Sequence, residues 1–441
     1  MTNNHLKEQS VALNALTQVV TDPSCMDDYD PNAMSVTNAR QFIKQFLNPV
    51  KDTEYLLLRA SLGRVLAEAV ISPSNVPNYD NSAMDGFAFK ASDIDQNARS
   101  TLKIIGSVFA GKAFDGKLAQ GECVRIMTGG MLPAGADTVV MQEKVQIHKD
   151  KISFDESPRR GLNVRYTGED LKQGQIVLDD GHLMRAADLG LIASLGIAQV
   201  KVYRQLKVAF FSTGDELASI DSASHGTALK QGQVYDSNRY SLFGMLTRLG
   251  VEVLDLGAVP DHPELLESTM LSASKQADVV ITSGGVSVGE ADYMKLLLAK
   301  HGQVVFWKIA MKPGRPLAYG KIGQAHYFGL PGNPVAVMVT FYQFVREALL
   351  ELMGQPNPLP LPMFNVVCTQ PIKKITGRTE FQRGILYPDS DGTWKVKPTG
   401  AQGSAILSSM SQANCFIVLD EHLGNLDAGA AVKVQVLDGL V

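Results

Sequence analysis

Cysteine is scarce in this 441-residue chain: Cys25, Cys123, Cys368 and Cys415 are far apart, and none belongs to a C-x-x-C pair. Such spacing fits free thiols in a reducing cytoplasm better than a disulfide framework or a zinc site. Metal chemistry must then use oxygen ligands, or sulfur brought by a substrate. No uninterrupted apolar run is long enough to span a bilayer. The opening "MTNNHLKEQS" lacks the charged-then-apolar pattern of a signal peptide. An excess of one charge is also missing. Lys and Arg total 41 against 45 Asp and Glu, a net charge of −4, which argues against nucleic acid or an anionic membrane as the main partner. No internal repeat stands out. What remains reads as an ordinary soluble protein, 45% hydrophobic, with material for several cores. Its length suggests about two to four domains.

The texture of the chain changes along its length. The polar first thirty or so residues, ending in "DDYDPN", read as a variable extension. "VTNARQFIKQFLNPV" predicts a short amphipathic helix stopped by Pro49, and "TEYLLLRASLGRVLAEAV" a second helix bounded by Pro73. From Pro77 to about Arg165, short strands and Gly/Asp turns predict a small, mostly β module. "RAADLGLIASLGI" returns to helix and ends at Gly196. From Leu206 onward strands alternate with helices at a spacing that means a mainly parallel α/β sheet. The Pro-rich "GQPNPLPLP" is a linker, and "FNVVCTQPI", "TWKVKPTG", "CFIVLDE" and "AVKVQVLD" read as a compact all-β C-terminal domain.

Within the α/β region, "ITSGGVSVGEADY" (281–293) is the densest signal. The preceding "ADVVI" reads as a buried strand. The following "DYMKLLLAK" reads as a helix with Leu296 and Leu297 inward. The stretch is thus the turn at the carboxyl end of a strand, where open α/β sheets bind ligands. Ser283, Gly284 and Gly285 offer a bare backbone whose N–H groups can face an anion. Glu290 and Asp292 would then hold a divalent cation, most simply Mg²⁺, beside a phosphate. A Gly-rich turn with acids favoured by the helix dipole explains the local pattern equally well.

Other strand ends add charge. "FFSTGDEL" carries Glu216, and "VPDHPEL" carries Asp261 just before Pro263, where plain helix capping is the simpler reading of the aspartate alone. Glu216, Asp261 and Asp292 nevertheless follow strands of one sheet, and three converging carboxylates point to a cation site. "WKIAMKPGRPLAYG" supplies Lys308, Lys312 and Arg315, with the two lysines on one face by strand parity. "GLPGNPVA" sets Gly332, Asn333 and Pro334 at a helix start whose N–H groups can take an anion. The lysines read equally as solvated surface charges, and "LPGNP" as a rigid turn. In the β module, "MDGF" with Asp85, "RIMTGG" with Thr128 and "VRYTGED" with Asp170 read either as tight turns or as cleft residues. The C-terminal domain offers Arg383 in "RTEFQRGIL" and Ser404 in "TGAQGSAIL". No Ser/His/Asp triad or nucleophilic cysteine stands out.

The ordered set "DNSAMDGFA", "RIMTGGMLPAGADTVVMQE", "GED", "FSTGDEL", "YDSNR", "SGGVSVGEADY", "MKPGRP" and "GLPGNPVA" resembles the molybdopterin molybdenumtransferases, the MoeA proteins and the E domain of gephyrin. The likeness runs from about Ser35 to the C-terminus. It implies a multidomain α/β plus β fold, with a MogA-like three-layer α/β domain (206–356), a small β module (77–165), a mixed linker domain in two segments (35–76 and 166–205) and a C-terminal β-barrel (357–441). Residues 1–34 are left as the variable extension. It also implies an elongated homodimer that inserts molybdate into adenylylated molybdopterin with release of AMP, dependent on Mg²⁺. An adenylyltransferase of the MogA type is the implied partner.

By this resemblance Glu216, Asp261 and Asp292 place Mg²⁺, the two Gly loops receive phosphates, and Lys308, Lys312 and Arg315 attract molybdate. Asp85, Thr128 and Asp170 match positions reaching the cleft from the other subunit, and Arg383 and Ser404 match ones from the C-terminal domain. Molybdenum is carried by the dithiolene sulfurs of the pterin, so no protein Cys/His site is required. Departures are Arg315 for a common Lys, Tyr166 and Thr167 for common arginines, Ala401 for a common His, and an insertion after Glu216. Two other classes fit parts of the pattern: a MogA-like nucleotidyltransferase or pyrophosphatase, and a non-enzymatic dimeric scaffold like the gephyrin E domain.

Overall fold

The computed structural model describes residues 33–94, 99–155, 158–220, 229–285 and 291–437, without the side chains of residues 291–293, 295 and 305–307. The extension up to residue 32, Glu290, the Asp292 carboxylate and most of the insertion after Glu216 lie outside the described residues. The chain forms two units, Met1–Thr53 with Tyr203–Val441, and Glu54–Val202.

Strands apolar at every position need cover on both faces, and in the first unit they receive it. In chain order the elements of its α/β part are α1 (Val36–Lys44), β1 (Lys207–Thr213), α2 (Ser237–Leu249), β2 (Glu252–Val259), α3 (Pro263–Gln276), β3 (Val279–Ser283) and α4 (Ala291–His301). They continue with β4 (Gly302–Lys308), β5 (Met311–Lys312), β6 (Pro316–Ile322), β7 (Ala325–Leu330), α5 (Pro334–Thr340) and α6 (Arg346–Leu352). A π turn, Phe341–Val345, joins α5 to α6. The sheet order is β2-β1-β3-β7-β6-β4; β2, β1, β3 and β7 are parallel, whereas β6 and β4 join by antiparallel pairing.

Ala209 and Phe211 of β1 pack with Leu266 and Met270 of α3 and Leu297 and Leu298 of α4 on one face. Strand alternation sends Val208 and Phe210 to the opposite face, where α2 and α5 lie against the sheet and each other. The connection leaving β1 runs to β2 on one side of the sheet, whereas the connection leaving β3 runs to β4 on the other. The crevice at the carboxyl ends of β1 and β3 is the topological switch point, the usual ligand position in such sheets.

The barrel of this unit consists of β8 (Met363–Cys368), β9 (Thr379–Pro388), β10 (Trp394–Pro398), α7 (Leu407–Gln412), β11 (Cys415–Leu419) and β12 (Ala431–Val436). Its order is β9-β10-β8-β12-β11, and β11 pairs back onto β9 to close the sheet. Inward residues such as Val396, Ile417 and Val434 fill it, together with the buried thiols Cys368 and Cys415. The two-residue β5 joins β9 in parallel, with Met311 opposite Thr379 and Lys312 opposite Glu380. A second tie is the buried amide of Gln343 in the π turn, which donates to Gln435 of β12 at 2.7 Å and accepts from Arg40 of α1.

The second unit has a six-stranded sheet whose strands run, in spatial order, Thr138–Met141, Gly86–Phe89, Glu122–Ile126, Ser100–Val108, Lys151–Phe154 and Gln146–His148. Phe87 and Phe89 build a core on one face, and Ala88, Val124 and Val139 one on the other. A separate cluster of Leu66, Val70, Met184, Ile192 and Val202 involves the helix Ala186–Ser194.

Two local expectations fail. "TEYLLLRASLGRVLAEAV" forms no α-helix: Thr53–Leu57 is a strand and Leu58–Ser61 a single 3₁₀ turn. Gly63 then takes φ +73°, and Val65 and Leu66 pair with Leu183 and Val202. Pairing with distant strands overrides helix propensity there. In α4, Leu296 is 68% exposed, while Met294, Leu297 and Leu298 point inward. The inner stripe is set one residue later than the sequence suggested.

At the amino ends of the strands Asp278 ties the sheet together. It accepts both Nη groups of Arg204 at 2.7 Å and the Lys207 N–H at 2.9 Å. Burial pushes its carboxyl up, but the Arg204 fork and the Lys207 N–H outweigh burial and hold it below the ordinary value. Asp278→Ala should therefore lower stability by about 2 kcal/mol at neutral pH, seen as a lower urea midpoint at unchanged m. A depressed carboxylate contributes only above its unfolded pKa, so the difference should shrink as pH falls through the acid range.

Candidate functional site

The sequence places Gly-rich turns after three strands, and the fold brings two of them side by side. Ser283 ends β3, and Gly284 and Gly285 follow with φ of +93° and +68°. A Cβ on Gly284 would sit 2.6 Å from the Thr213 carbonyl oxygen, so only glycine lets this loop lie against the end of β1. The loop after β7 passes close by, with the Gly284 Cα 4.0 Å from the Cβ position of Gly332.

Asn238, on the first turn of α2, holds the pair together. Its Nδ2 donates to Ser283 Oγ at 2.9 Å and to the Gly332 carbonyl at 2.7 Å. Asp236 positions Asn238 by capping α2, accepting the Arg239 N–H at 3.1 Å. Sequence reasoning did not single out these two residues as site residues. The available signal was "YDSNR" itself: a capping aspartate followed two residues later by an amide at a helix start.

These loops line a cavity of about 1370 Å³ that extends to the barrel. Glu216 and Asn333 contribute from the α/β part, Lys312 and Arg315 from the connection around β5, and Arg383 and Ser404 from the barrel. Pro334 also lines it; the next N–H of α5, that of Val335, is already donated to the Ser404 carbonyl at 3.1 Å. Arg383 is 1% exposed, its Nε donating to Ser409 Oγ and its Nη2 to the Gly403 carbonyl, both at 3.0 Å. Burial pushes its pKa down to about 10. Among the described residues its side chain bonds only neutral groups. A guanidinium buried on a cavity wall with no carboxylate hydrogen-bonded to it favours an anionic ligand. Arg378, Lys373 and Glu380 stand on the same barrel wall, and nothing in the sequence spacing marked them.

Other expected residues lie elsewhere. Lys308 ends β4 in the α/β sheet, whereas Lys312 belongs to β5 on the barrel strand β9. The intervening bridge of Ile309 to Met34 breaks the common strand, so equal parity no longer aligns the lysines, and Lys308 is outside the cavity wall. Asp261 accepts a hydrogen bond from Thr213 Oγ1, while its own N–H donates to Asp215 Oδ1 at 3.1 Å. Among the described residues no group of three or more His, Cys, Asp or Glu side chains is set to hold a metal ion. The Asp292 carboxylate is not among them.

In the second unit, Asp85 Oδ1 accepts both the N–H of Thr128 at 2.7 Å and its hydroxyl at 2.8 Å. These two bonds hold the Asp85 carboxyl below its ordinary range. Asp170 is exposed, and its N–H donates to the Val76 carbonyl at 3.0 Å.

Comparison with known proteins covers nearly the whole described chain. The family described as "MoeA N-terminal region (domain I and II)" matches residues 34–196, "Probable molybdopterin binding domain" matches 209–351, and "MoeA C-terminal region (domain IV)" matches 365–437. A Haemophilus influenzae protein named molybdopterin molybdenumtransferase is 46% identical over 409 residues, covering 92% of this chain and 100% of the relative. A Nostoc protein of the same name is 36% identical, with 89% and 90% covered. Gephyrin of Dictyostelium discoideum is 33% identical over 90% of this chain and 61% of its own length. The solved structure of a molybdopterin biosynthesis moeA protein from Pyrococcus horikoshii superposes with a TM-score of 0.80 at 29% identity, covering 92% of this chain and all of that one.

The close approach at Gly284 is directly testable. Gly284→Ala should cost about 2 kcal/mol, because a Cβ meets backbone and the left-handed φ is strained. A drop of several degrees in the thermal midpoint is the expected reading.

Proposed function

The chain belongs to the MoeA family of molybdopterin molybdenumtransferases, and we propose that it inserts molybdate into adenylylated molybdopterin with release of AMP, completing the molybdenum cofactor. The observation that carries this reading is one cavity shared by glycine loops at the switch point and a barrel wall bearing Arg383. Phosphate groups suit the glycine loops at Ser283–Gly285 and Gly332–Asn333, which a ligand can approach closely without a large side chain in the way. Molybdate, a compact dianion, suits Lys312, Arg315 and Arg383, which would also steady negative charge developing as AMP departs. Ser404 adds a hydroxyl at the same wall.

Mg²⁺ belongs to the proposal, held by Glu216 together with Asp261 and Asp292. Glu216 on the cavity wall supports it; Asp261 accepts the Thr213 hydroxyl on Oδ1, a bond that would orient the carboxylate while its other oxygen faced a metal. When bound, the ion would neutralise phosphate charge. Lys308 is assigned to longer-range attraction of the oxyanion. We further assign Asp85, Thr128 and Asp170 to the site of a partner copy in a homodimer. Exposed Tyr240, Phe243 and Leu256 on α2 and the edge strand β2 supply apolar surface for such association. Adenylylated molybdopterin would come from a MogA-type adenylyltransferase, in the cytoplasm. Among the described residues no helix is long and apolar enough to cross a membrane.

The defining experiment supplies adenylylated molybdopterin, Mg²⁺ and molybdate and follows AMP. Lys312→Ala should raise the KM for molybdate about tenfold or more while changing that for the pterin nucleotide little, since the oxyanion has few other handles. Equal effects on both would move Lys312 to the nucleotide site.

The shared site is tested by co-refolding an Asp85→Ala chain with an Asp292→Ala chain. In a C₂ dimer with sites built across copies, one site of each heterodimer takes both lesions and the other neither. About half the dimers are mixed, so roughly a quarter of sites should be intact. Activity should appear that neither variant shows alone; none, despite demonstrated heterodimers, rules the arrangement out.

A further inference from the structure

Residues 79–85 of the second unit form a strap with a neighbour on each side. Asn81–Ser82 pairs with Val164–Arg165 on one side. On the other, Asn81 bridges Met131, the Ser82 N–H donates to the Gly130 carbonyl, and the Gly129 N–H donates to the Ser82 carbonyl. The strap therefore touches the 127–130 loop and, on the other side, the two residues that lead into the 166–170 loop.

An aspartate does the same work at each end of the strap. Asp85 Oδ1 takes the N–H and hydroxyl of Thr128. Asp80 Oδ1 takes the N–H and hydroxyl of Thr167, both at 2.7 Å. One charged oxygen thereby fixes the backbone and the side chain of a single loop residue, and charge-assisted bonds are the stronger kind. The first clamp joins two residues expected at the site, whereas the second joins two that were not.

Asp170 lies three residues beyond Thr167. On its far side the loop is secured through backbone, with the Gly168 N–H on the Pro77 carbonyl at 2.9 Å and the Asp170 N–H on that of Val76. On its near side Tyr166 N–H donates to Glu169 Oε2 at 2.9 Å, a bond internal to the loop. The side-chain tie from this end of the loop to the strap is the Asp80 clamp. Where the resembling family commonly carries arginines at 166 and 167, this chain has Tyr166 and Thr167. Thr167 is occupied as an anchor.

We infer that Asp80 is a positioning residue for the proposed reaction, acting through Thr167 to set the loop that presents Asp170. The inference rests on the reading that Asp170 serves the transferase site. It makes Asp80 and Asp85 a matched pair: each holds one threonine, and each threonine holds one loop.

The test compares wild type with Asp80→Ala, Thr167→Val, the double variant and Thr167→Ser. AMP release from adenylylated molybdopterin with molybdate and Mg²⁺ is measured together with the thermal midpoint and amide exchange at residues 167–170. Asp80→Ala should lower kcat about tenfold at a KM for molybdate changed less than about twofold, since loop placement and not anion affinity is lost. Exchange at the Thr167 amide should quicken while the thermal midpoint holds. Thr167→Val, which keeps the N–H bond, should lose less. The double variant should be no worse than Asp80→Ala, and Thr167→Ser should turn over like wild type. An Asp80→Ala chain with wild-type kcat overturns the inference. So do losses that multiply in the double variant, or a rate loss matched by a fall in the thermal midpoint. An inactive wild type overturns the transferase reading and this inference with it; an active wild type beside an unaffected Asp80→Ala overturns the inference alone.

Discussion

The two-residue pairing of Met311 and Lys312 with Thr379 and Glu380 is the constraint on which the site depends. It makes a piece of the α/β part a member of the barrel sheet. Backbone hydrogen bonds fix spacing to a few tenths of an ångström, so the Arg383 wall has a defined distance from the glycine loops. The Gln343–Gln435 side-chain hydrogen bond adds a second tie, supplied by a π turn that sets Gln343 against the barrel. Neither tie contributes a large hydrophobic area. Their effect is to register two bodies that could each fold around a core of its own.

Electrostatics follows from that registration. The α/β side gives dipoles and N–H groups with few side chains, and the barrel side gives fixed cations. Arg383 is held by Ser409 and by a carbonyl, so its charge remains available to the cavity. A carboxylate partner would have consumed it. The desolvation that pushes its pKa down is offset when an anion enters, which links occupancy of the cavity to relief of a buried charge.

Much of this was legible in residue order. Alternation of strand and helix gave the α/β sheet, and the glycines after β3 and β7 located its crevice, because close backbone approach has a local signature. Ser283–Gly285, Asn333, Lys312, Arg315, Arg383 and Ser404, from five separate stretches, line one cavity. Failures came where distant pairing decides. Residues 53–66 have helical spacing but are claimed by strands near 183 and 202. Lys308 and Lys312 looked equivalent until the chain changed sheets between them. Asn238 was overlooked because its importance lies in two partners, one 45 and one 94 residues away. Thr167, first a departure from a family pattern, became intelligible only beside Asp80.

The closure of β11 onto β9 also bears on how the chain emerges from the ribosome. The glycine loops are synthesised about a hundred and about fifty residues before Arg383, and β9, which carries it, cannot close its barrel until β10, β11 and β12 have followed. Domains fold largely as units during synthesis, amino end first. The α/β part can therefore complete its sheet while the barrel wall that bears Arg383 is still missing. A nascent chain therefore carries only the α/β half of the cavity, and the wall bearing Arg383 is complete only once translation has passed β12.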